Sequence, residues 1–291
     1  MPAVTVVVPC WNGRRWLSGL LGSLTNQTQP ASQIVVVDNG STDGSVAYLR
    51  AAHPDVEILE LARNTGFAFA VNRGLELARG ELVALVNTDV MLSPDWLARM
   101  AGALAADAQA ASVACKMRQF GSERLIYDAG DILRRDGACE QRGRFGRDVG
   151  QYEEAGEVFG ACAGAALYRR DAVLGVGGFD ERFFAYLEDV DLALRLRLAG
   201  WGCRYEPVLA LHVGEGSSHQ LTGAHHYLVE RNTLLLVGKW FPLRWLPLVA
   251  YRQASWLRDA ARHGRLGLQL RGLRAGVGAG LRAARTRRRA P

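Results

Sequence analysis

Four short clusters of polar residues carry groups able to do chemistry. Glu188-Asp189-Val190-Asp191 sets three acids within four positions, just ahead of the helix-like run Leu192–Leu198. The helix dipole favours acids at such a start, but three together exceed what that effect requires. A carboxylate there can take the proton of an attacking hydroxyl, and either Asp189 or Glu188 has the chemistry of that base. Asn87-Thr88-Asp89 ends an apolar run. A carboxylate facing an anionic diphosphate repels it unless a divalent cation intervenes, and Mg²⁺ or Mn²⁺ suits a site with few protein oxygens. In Asp38-Asn39-Gly40-Ser41-Thr42-Asp43 a carboxylate can accept the ring N–H of a pyrimidine, while Ser41 or Thr42 caps the next helix. The same residue types also build ordinary turns. His212 precedes Val213-Gly214-Glu215-Gly216-Ser217-Ser218, whose backbone N–H groups and hydroxyls suit phosphate. Arg231 and Asn232 follow, placed to contact a donor or to brace that loop.

The elements that must position these groups are legible from periodicity. Val4–Val8, Gln33–Val37, Val56–Leu61 and Glu81–Val86 read as strands. Between them Arg14–Asn26, Asp43–Ala52 and Phe67–Ala78 carry apolar residues at helical spacing. Strand–helix alternation at this spacing implies parallel strands with right-handed crossovers. Ligands of such sheets bind beyond the carboxyl ends of the strands, where Pro9–Gly13, Asp38–Ser41 and Asn87–Asp89 stand. Ser93-Pro94-Asp95-Trp96 has the form of a capped start with proline at the first helical position, opening a helix to about Ala106. Residues 116–155 read as a flexible loop or hairpin, and a second ordered region runs from Val158 to Leu211.

Composition narrows the classes. The 291 residues are 49% hydrophobic, enough to bury a core. Five scattered cysteines without a C-x-x-C pair argue against a disulfide framework and a cysteine zinc site, and suit a reducing compartment. The start of the chain reads as a first strand and not as a signal peptide. Thr233–Ala250, the longest apolar stretch, is broken by Lys239, Pro242, Arg244 and Pro247, so no spanning helix is expected. Residues 252–291 hold eleven Arg and one Asp, leaving the remainder at −4 of the total +6. A mildly acidic globule with a basic tail is not a nucleic-acid reader, and no nucleic-acid partner is expected. No G-x-G-x-x-G follows the first strand and no P-loop occurs, which removes the dinucleotide oxidoreductases and P-loop NTPases.

Taken in order, Val6-Val7-Val8-Pro9-Cys10-Trp11-Asn12, Val37–Asp43, Arg63-Asn64-Thr65-Gly66-Phe67, Asn72-Arg73-Gly74, Asn87-Thr88-Asp89, Gly177-Gly178-Phe179-Asp180-Glu181, Glu188–Leu192 and His212 resemble the motifs of family 2 glycosyltransferases with the GT-A fold. Within that family they most resemble the rhamnosyltransferase-like branch that builds bacterial surface polysaccharides. The resemblance spans roughly residues 3–240. It implies an α/β fold with a mostly parallel central sheet flanked by helices. It implies inverting transfer of a sugar, rhamnose being one candidate, from a nucleotide diphosphate to a glycan or lipid-linked acceptor. Asp38 would bind the base, with Pro9, Trp11, Asn12, Asn64 and Gly66 completing the nucleotide cradle and Asn39, Asn72, Asn87 and Arg231 also on the donor. Asp89 and His212 would hold a divalent cation, Mg²⁺ or Mn²⁺. Asp189 would be the base, helped by Glu188 and positioned by Asp191; Gly160–Gly164 and Trp201 would lie near the acceptor. Cys10-Trp11 replaces the family's Thr-Tyr, and Asn87-x-Asp89 replaces its Asp-x-Asp, one carboxylate short. A non-catalytic nucleotide-sugar or carbohydrate-binding subunit of the same fold is the rival reading.

Expected organisation follows. Residues 1–238 form the catalytic domain, with a nucleotide-binding half (1–106) and an acceptor half (107–238). Residues 239–291 form an amphipathic, helical, basic extension. Trp240, Phe241, Trp245, Leu246 and Trp256, followed by the arginines, suit docking on an anionic membrane leaflet, placing the chain at the cytoplasmic face of the plasma membrane.

Overall fold

The computed structural model describes residues 2–214 and 224–286. Glu215–Ser218 of the expected phosphate loop and Arg287–Arg289 of the basic tail lie outside the described residues. The chain divides into two compact units. The first comprises 1–132, 141–184 and 188–220; the second comprises 133–140, 185–187 and 221–291.

The first unit is built on one large sheet. β1 (Val4–Cys10), β2 (Gln33–Asp38), β3 (Glu57–Glu60) and β4 (Leu82–Val86) pair in parallel in the order β4-β1-β2-β3. The crossovers are α1 (Arg14–Thr25), α2 (Ser45–Ala52) and α3 (Phe67–Leu77). All seven elements stand within a few residues of their sequence-based limits, because strong β-branched runs and long amphipathic stretches agree at each position. Alternation in β1 splits the core. Val4, Val6 and Val8 pack with α1 and with α4 (Trp96–Ala106), while Val7 faces Val35, Val37 and α3.

α4 begins at Trp96, two residues later than a Ser93 cap with Pro94 at the first helical position would place it. Ser93 instead makes a preceding turn: its carbonyl accepts from the Trp96 N–H and its hydroxyl donates to Asp95.

The second half of the sheet adds β5 (Val90–Leu92), β6 (Ala110–Gln119), β7 (Ser122–Asp128), β10 (Gly156–Val158), β11 (Ala165–Arg169) and β12 (Gly202–His212). β11 runs antiparallel between β4 and β6, and β6 pairs in parallel with β12. The stretch 116–155, expected as loop or hairpin, is hairpin: β7 folds back on β6, and β8 (Asp131–Leu133) pairs with β9 (Cys139–Gln141). Residues 142–148 are laced to β7, with Phe145 N–H donating to Ile126 and Asp148 N–H to Arg124. Asp148 is pinned by Lys116 Nζ at 2.7 Å and by Arg118 Nε at 2.6 Å. α5 (Arg170–Gly175) follows β11, and α6 (Glu188–Leu198) takes the acidic cluster into its own first turn.

The second unit holds three helices, α7 (Ala224–Trp240), α8 (Leu246–Arg262) and α9 (Leu266–Thr286). Gly272, Gly276 and Gly280 stand four residues apart on α9 and seat it against α7. A Cβ at Gly238 would meet the Gly280 carbonyl oxygen at 2.2 Å. Buried Asn232 donates to the carbonyls of Ala185 and Tyr186, each at 2.8 Å. Phe241, expected as an interfacial anchor, is buried with Val237 and Val249, and Trp240 and Trp245 pack on them. Leu246, also expected as an anchor, is exposed, as are Leu243 (81%), Leu248 and Tyr251 (72%) on the same stretch. The pairing of Arg252 with Asp136 turns one arginine inward.

Candidate active site

The carboxyl ends of β1, β2 and β4 bring the donor-side residues together. Asn12, in the left-handed region at φ 51, is held by the turn that follows β2. Its N–H donates to Ser41 Oγ at 2.8 Å, and its side-chain oxygen accepts from Thr42 N–H at 2.8 Å. Pro9 and Trp11 flank it, both half-buried. Asp38 is buried; Oδ2 accepts from the Ser41 N–H at 3.1 Å, whereas Oδ1 is buried with no partner. An orphaned carboxylate oxygen at a strand end is costly unless a donor arrives there, and a base N–H is such a donor.

Asn39 and Asn64 are occupied in bracing. Asn39 Nδ2 donates to the Gly66 carbonyl at 3.1 Å and to Asn64 Oδ1 at 3.2 Å, and Asn39 Oδ1 accepts from Thr65 N–H at 2.8 Å. Gly66 is required at this point: its φ is +93, and a Cβ would meet the Phe184 ring at 2.6 Å. Asn72 is likewise bound into structure, donating to Phe179 O at 2.8 Å and accepting from Phe179 N–H at 2.8 Å. Arg231 belongs to the second unit, where its Nη1 donates to Asn232 Oδ1 at 2.6 Å.

Antiparallel pairing of β5 with β12 sets Asp89 beside His212. His212 Nδ1 stands 3.7 Å from Asp89 Oδ2, and Val213 N–H donates to the Asp89 carbonyl at 3.0 Å. Both side chains are buried. Burial lowers the His212 pKa, against the opposing pull of Asp89, and its Nδ1 accepts the Gly214 N–H at 2.8 Å. With Nδ1 accepting the Gly214 N–H, the neutral imidazole carries its proton on Nε2, so His212 would join Asp89 on a divalent cation only once that hydrogen bond is released. Among the described residues no group of three or more His, Cys, Asp or Glu forms a ready metal cage. A cation would therefore take most of its coordination from phosphate oxygens and water. Asn87 is half-buried, its N–H bonded to the Gly164 carbonyl at 2.9 Å.

The acids of α6 meet two more that sequence reasoning missed. Asp128 ends β7 and Asp131 opens β8; both are buried, as is Glu188. Asp128 Oδ2, Asp131 Oδ2 and Glu188 Oε2 are buried without a partner. Asp189 is more open, and its Oδ2 accepts from Ala163 N–H at 3.1 Å. Burial pushes the Asp128 carboxyl up to about 7, with the charge of Asp189 adding to it. Asp131 and Glu188 are pushed well above the carboxylate range, by burial first and then by Asp189. Burial also raises Asp189, but the N–H groups of Ala163 and Val190 oppose it. Burial raises all four, and Asp189 accepts from two backbone N–H groups, those of Ala163 and Val190, which favour its ionised form. Asp191 is fully buried against Arg195 at 2.8 Å, and Arg195 also holds the carbonyls of Val176 and Gly178. Asp191 thus braces the glycine turn. Gly160–Gly164 threads between the two halves: Asp131 N–H donates to Gly160 O at 3.0 Å, while Ala163 and Gly164 reach Asp189 and Asn87. The signal for Asp128 and Asp131 was their spacing, Asp-x-x-Asp within an Ile- and Tyr-bearing run; alone it is indistinguishable from a turn.

Comparisons with known proteins bear on the family and the fold. Residues 5–176 match the family model described as glycosyl transferase family 2. The chain is 31% identical over 267 residues to the N-acetylglucosaminyl-diphospho-decaprenol L-rhamnosyltransferase of Mycobacterium tuberculosis, covering 79% of this chain and 84% of that one. It is 32% identical over 214 residues to the pre-mycofactocin glycosyltransferase of the same organism, covering 70% and 41%. Among solved structures, the mannosyltransferase PcManGT of Pyrobaculum calidifontis, in complex with GDP-Man and Mn²⁺, is similar with a TM-score of 0.59 at 21% identity, covering 98% of this chain and 78% of that one. GalNAc-T7 with UDP, GalNAc and Mn²⁺ is similar with a TM-score of 0.66 at 14% identity, covering 82% and 48%. These neighbours share the GT-A fold, and the chain belongs to glycosyltransferase family 2.

Proposed function

We propose that this glycosyltransferase moves a hexose or deoxyhexose, rhamnose among them, from a nucleoside diphosphate to a hydroxyl of a lipid-linked or free glycan, with inversion. The observation that carries this reading is the setting of Asp189, the least buried of the four carboxyls around Gly160–Ala163, with its Oδ2 held by the Ala163 N–H at 3.1 Å. In the reaction Asp189 accepts the proton of the acceptor hydroxyl. That oxygen bonds to the anomeric carbon as the bond to the diphosphate breaks, and the nucleoside diphosphate leaves with the electron pair. One base and a single displacement invert the anomeric centre. Glu188, buried beside Asp189, is pushed well above the carboxylate range by burial and then by the charge of Asp189, which suits it to assist and not to replace that base. Asp38 Oδ1 takes the base N–H, and the Pro9–Asn12 and Asn64–Gly66 turns wall the nucleotide.

Asp89 and His212 are the residues that would hold a divalent cation, with Asn87 beside them. Bound there, such an ion neutralises charge developing on the leaving diphosphate. The structural neighbours solved with Mn²⁺ support this reading. The rhamnosyltransferase relative, whose name gives a diphospho-decaprenol acceptor, supports a lipid-linked acceptor here. Catalytic function is assigned to residues 1–238, and membrane docking to the extension from 239. That extension joins Leu243, Leu246, Leu248 and Tyr251 to an arginine-rich sequence; no described helix is long and apolar enough to cross a membrane.

A thermal-stability panel of UDP-, dTDP- and GDP-sugars with and without Mn²⁺ tests the donor reading, because a ligand of the native state raises its melting temperature. One donor should stabilise the wild type and fail with Asp38→Ala. A panel that shifts nothing, or shifts both proteins alike, overturns it.

A further inference from the structure

The hairpin formed by β6, β7 and residues 145–148 carries an outward side that the proposed chemistry does not use. Ile126 exchanges hydrogen bonds with the chain at Phe145 and Gly146, and the Asp148 N–H donates to Arg124 O. Asp148 turns inward to Lys116 and Arg118, so its neighbours Arg147 and Val149 turn outward. Phe145 and Val149 are 67% and 80% exposed, and Phe120 at the β6–β7 turn is exposed as well. Arg124 and Arg147, in the same ladder, are also exposed. Among the described residues neither pairs with a carboxylate, unlike Arg118 on the adjoining strand, which Asp148 holds.

Short contacts join this surface to the site. The Phe145 N–H donates to Ile126 O at 2.9 Å, two residues before buried Asp128. The Phe120 N–H donates to His212 O at 2.9 Å. The Phe145 ring lies 4.9 Å from the Arg144 guanidinium, which lies 4.5 Å from the Tyr127 ring, and Tyr127 stacks on His212 with centroids 4.1 Å apart. Folding alone does not call for an exposed ring here. Phe145 has φ +63, strained for a bulky side chain, and its exposure forgoes the gain of burial. Apolar side chains interleaved with unpaired arginines suit the headgroup level of an anionic leaflet, where rings enter the interface and guanidinium groups meet lipid phosphate. An exposed strand edge fits such a broad surface, whereas a small ligand needs a concave pocket.

We propose that Phe120, Arg124, Phe145, Arg147 and Val149 form a membrane-facing surface of the catalytic unit, which docks on an anionic lipid leaflet beside the acceptor side of the site. This rests on the lipid-linked acceptor reading above. It is separate from the extension, since all five residues belong to the first unit. A hydroxyl on a lipid-linked acceptor cannot leave the leaflet, so the unit that carries Asp189 must itself reach that surface.

The experiment follows hydrogen exchange and flotation of the full chain with vesicles of phosphatidylcholine, alone and mixed with phosphatidylglycerol. Peptides covering 118–126 and 145–151 should exchange more slowly on the anionic vesicles than on the neutral ones. Phe145→Ser with Val149→Ser should abolish that protection. Arg124→Gln with Arg147→Gln should weaken vesicle affinity at low salt by about fivefold for each arginine removed, the worth of one basic residue at an anionic surface. Both double variants should keep the wild-type melting temperature and donor affinity. Unchanged exchange in these two segments, on vesicles that the wild type binds, overturns the proposal and leaves docking to the extension. A wild-type dimer that Phe145→Ser with Val149→Ser converts to monomer, with vesicle binding unchanged, overturns it in favour of a second copy. If the wild type binds no anionic vesicle, docking itself falls and this proposal with it, while the donor reading stands.

Discussion

The backbone N–H of Ala163 donates to Asp189 Oδ2 at 3.1 Å, while its neighbour Gly164 accepts from Asn87 at 2.9 Å. Through two adjacent residues the first turn of α6 is thus tied to the carboxyl end of β4. The proposed base and the proposed diphosphate position are held in one frame, so loss of the base and loss of the donor site can be told apart by mutation.

Asp189→Asn keeps an acceptor for the Ala163 N–H and removes only the basicity. Donor affinity should stay near wild type while kcat falls by roughly 10²–10⁴-fold, the usual contribution of a positioned base. Near-normal turnover would move the role to Glu188 or Asp131. NMR of the product should show inverted anomeric configuration, and a retained one would sink the single displacement.

Activity should vanish in excess EDTA and return with Mn²⁺ or Mg²⁺. Asp89→Ala should weaken binding of the metal and of the nucleoside diphosphate together, read by titrating each in the presence and absence of the other. An enzyme equally active under chelation refutes the metal reading.

Asp128 offers a test of the buried cluster through stability. Its folded-state carboxyl is raised from the ordinary 3.8 to about 7, so the native state holds its proton more tightly than the unfolded chain does. The sign follows: the native state is favoured below about pH 4 and loses that advantage as pH rises through about 7. Asp128→Asn, which can still accept the Gly130 N–H, removes the penalty of ionising a buried acid. The variant should gain on wild type between about pH 4 and 7, by on the order of a few kcal/mol. Denaturant titrations that differ by a constant across this range contradict the assignment.

The second unit should float with liposomes of anionic lipid, less with neutral lipid, and less at high salt. Leu243→Asp with Tyr251→Asp should reduce binding, since both side chains are more than two-thirds exposed. Phe241→Ala should instead lower stability, by about 3–5 kcal/mol for a buried aromatic. Binding that ignores lipid charge and salt rejects the electrostatic part, and no flotation at all rejects docking.

Much of the first half is legible in the chain itself. Val4–Val8, Gln33–Val37 and the helices between them are local patterns, each strong enough to define its own element and, by alternation, a parallel sheet. Since ligands of such sheets gather at strand ends, the positions of Asp38 and Asp89 follow from the amino-acid order alone. The rest depends on contacts distant in sequence. β6, Ala110–Gln119, is rich in alanine and carries little strand propensity; burial between β11 and β12 makes it a strand. Asp131 and Asp189 are 58 positions apart, and only the hairpins of 116–155 carry the first to the second. Asn39 and Asn72 look like ligand-binding residues by type, yet tertiary neighbours consume their donors and acceptors. Residue type and spacing determine which groups can do chemistry, whereas the charge on a carboxyl and the freedom of an amide depend on burial and partners, which only the folded chain decides.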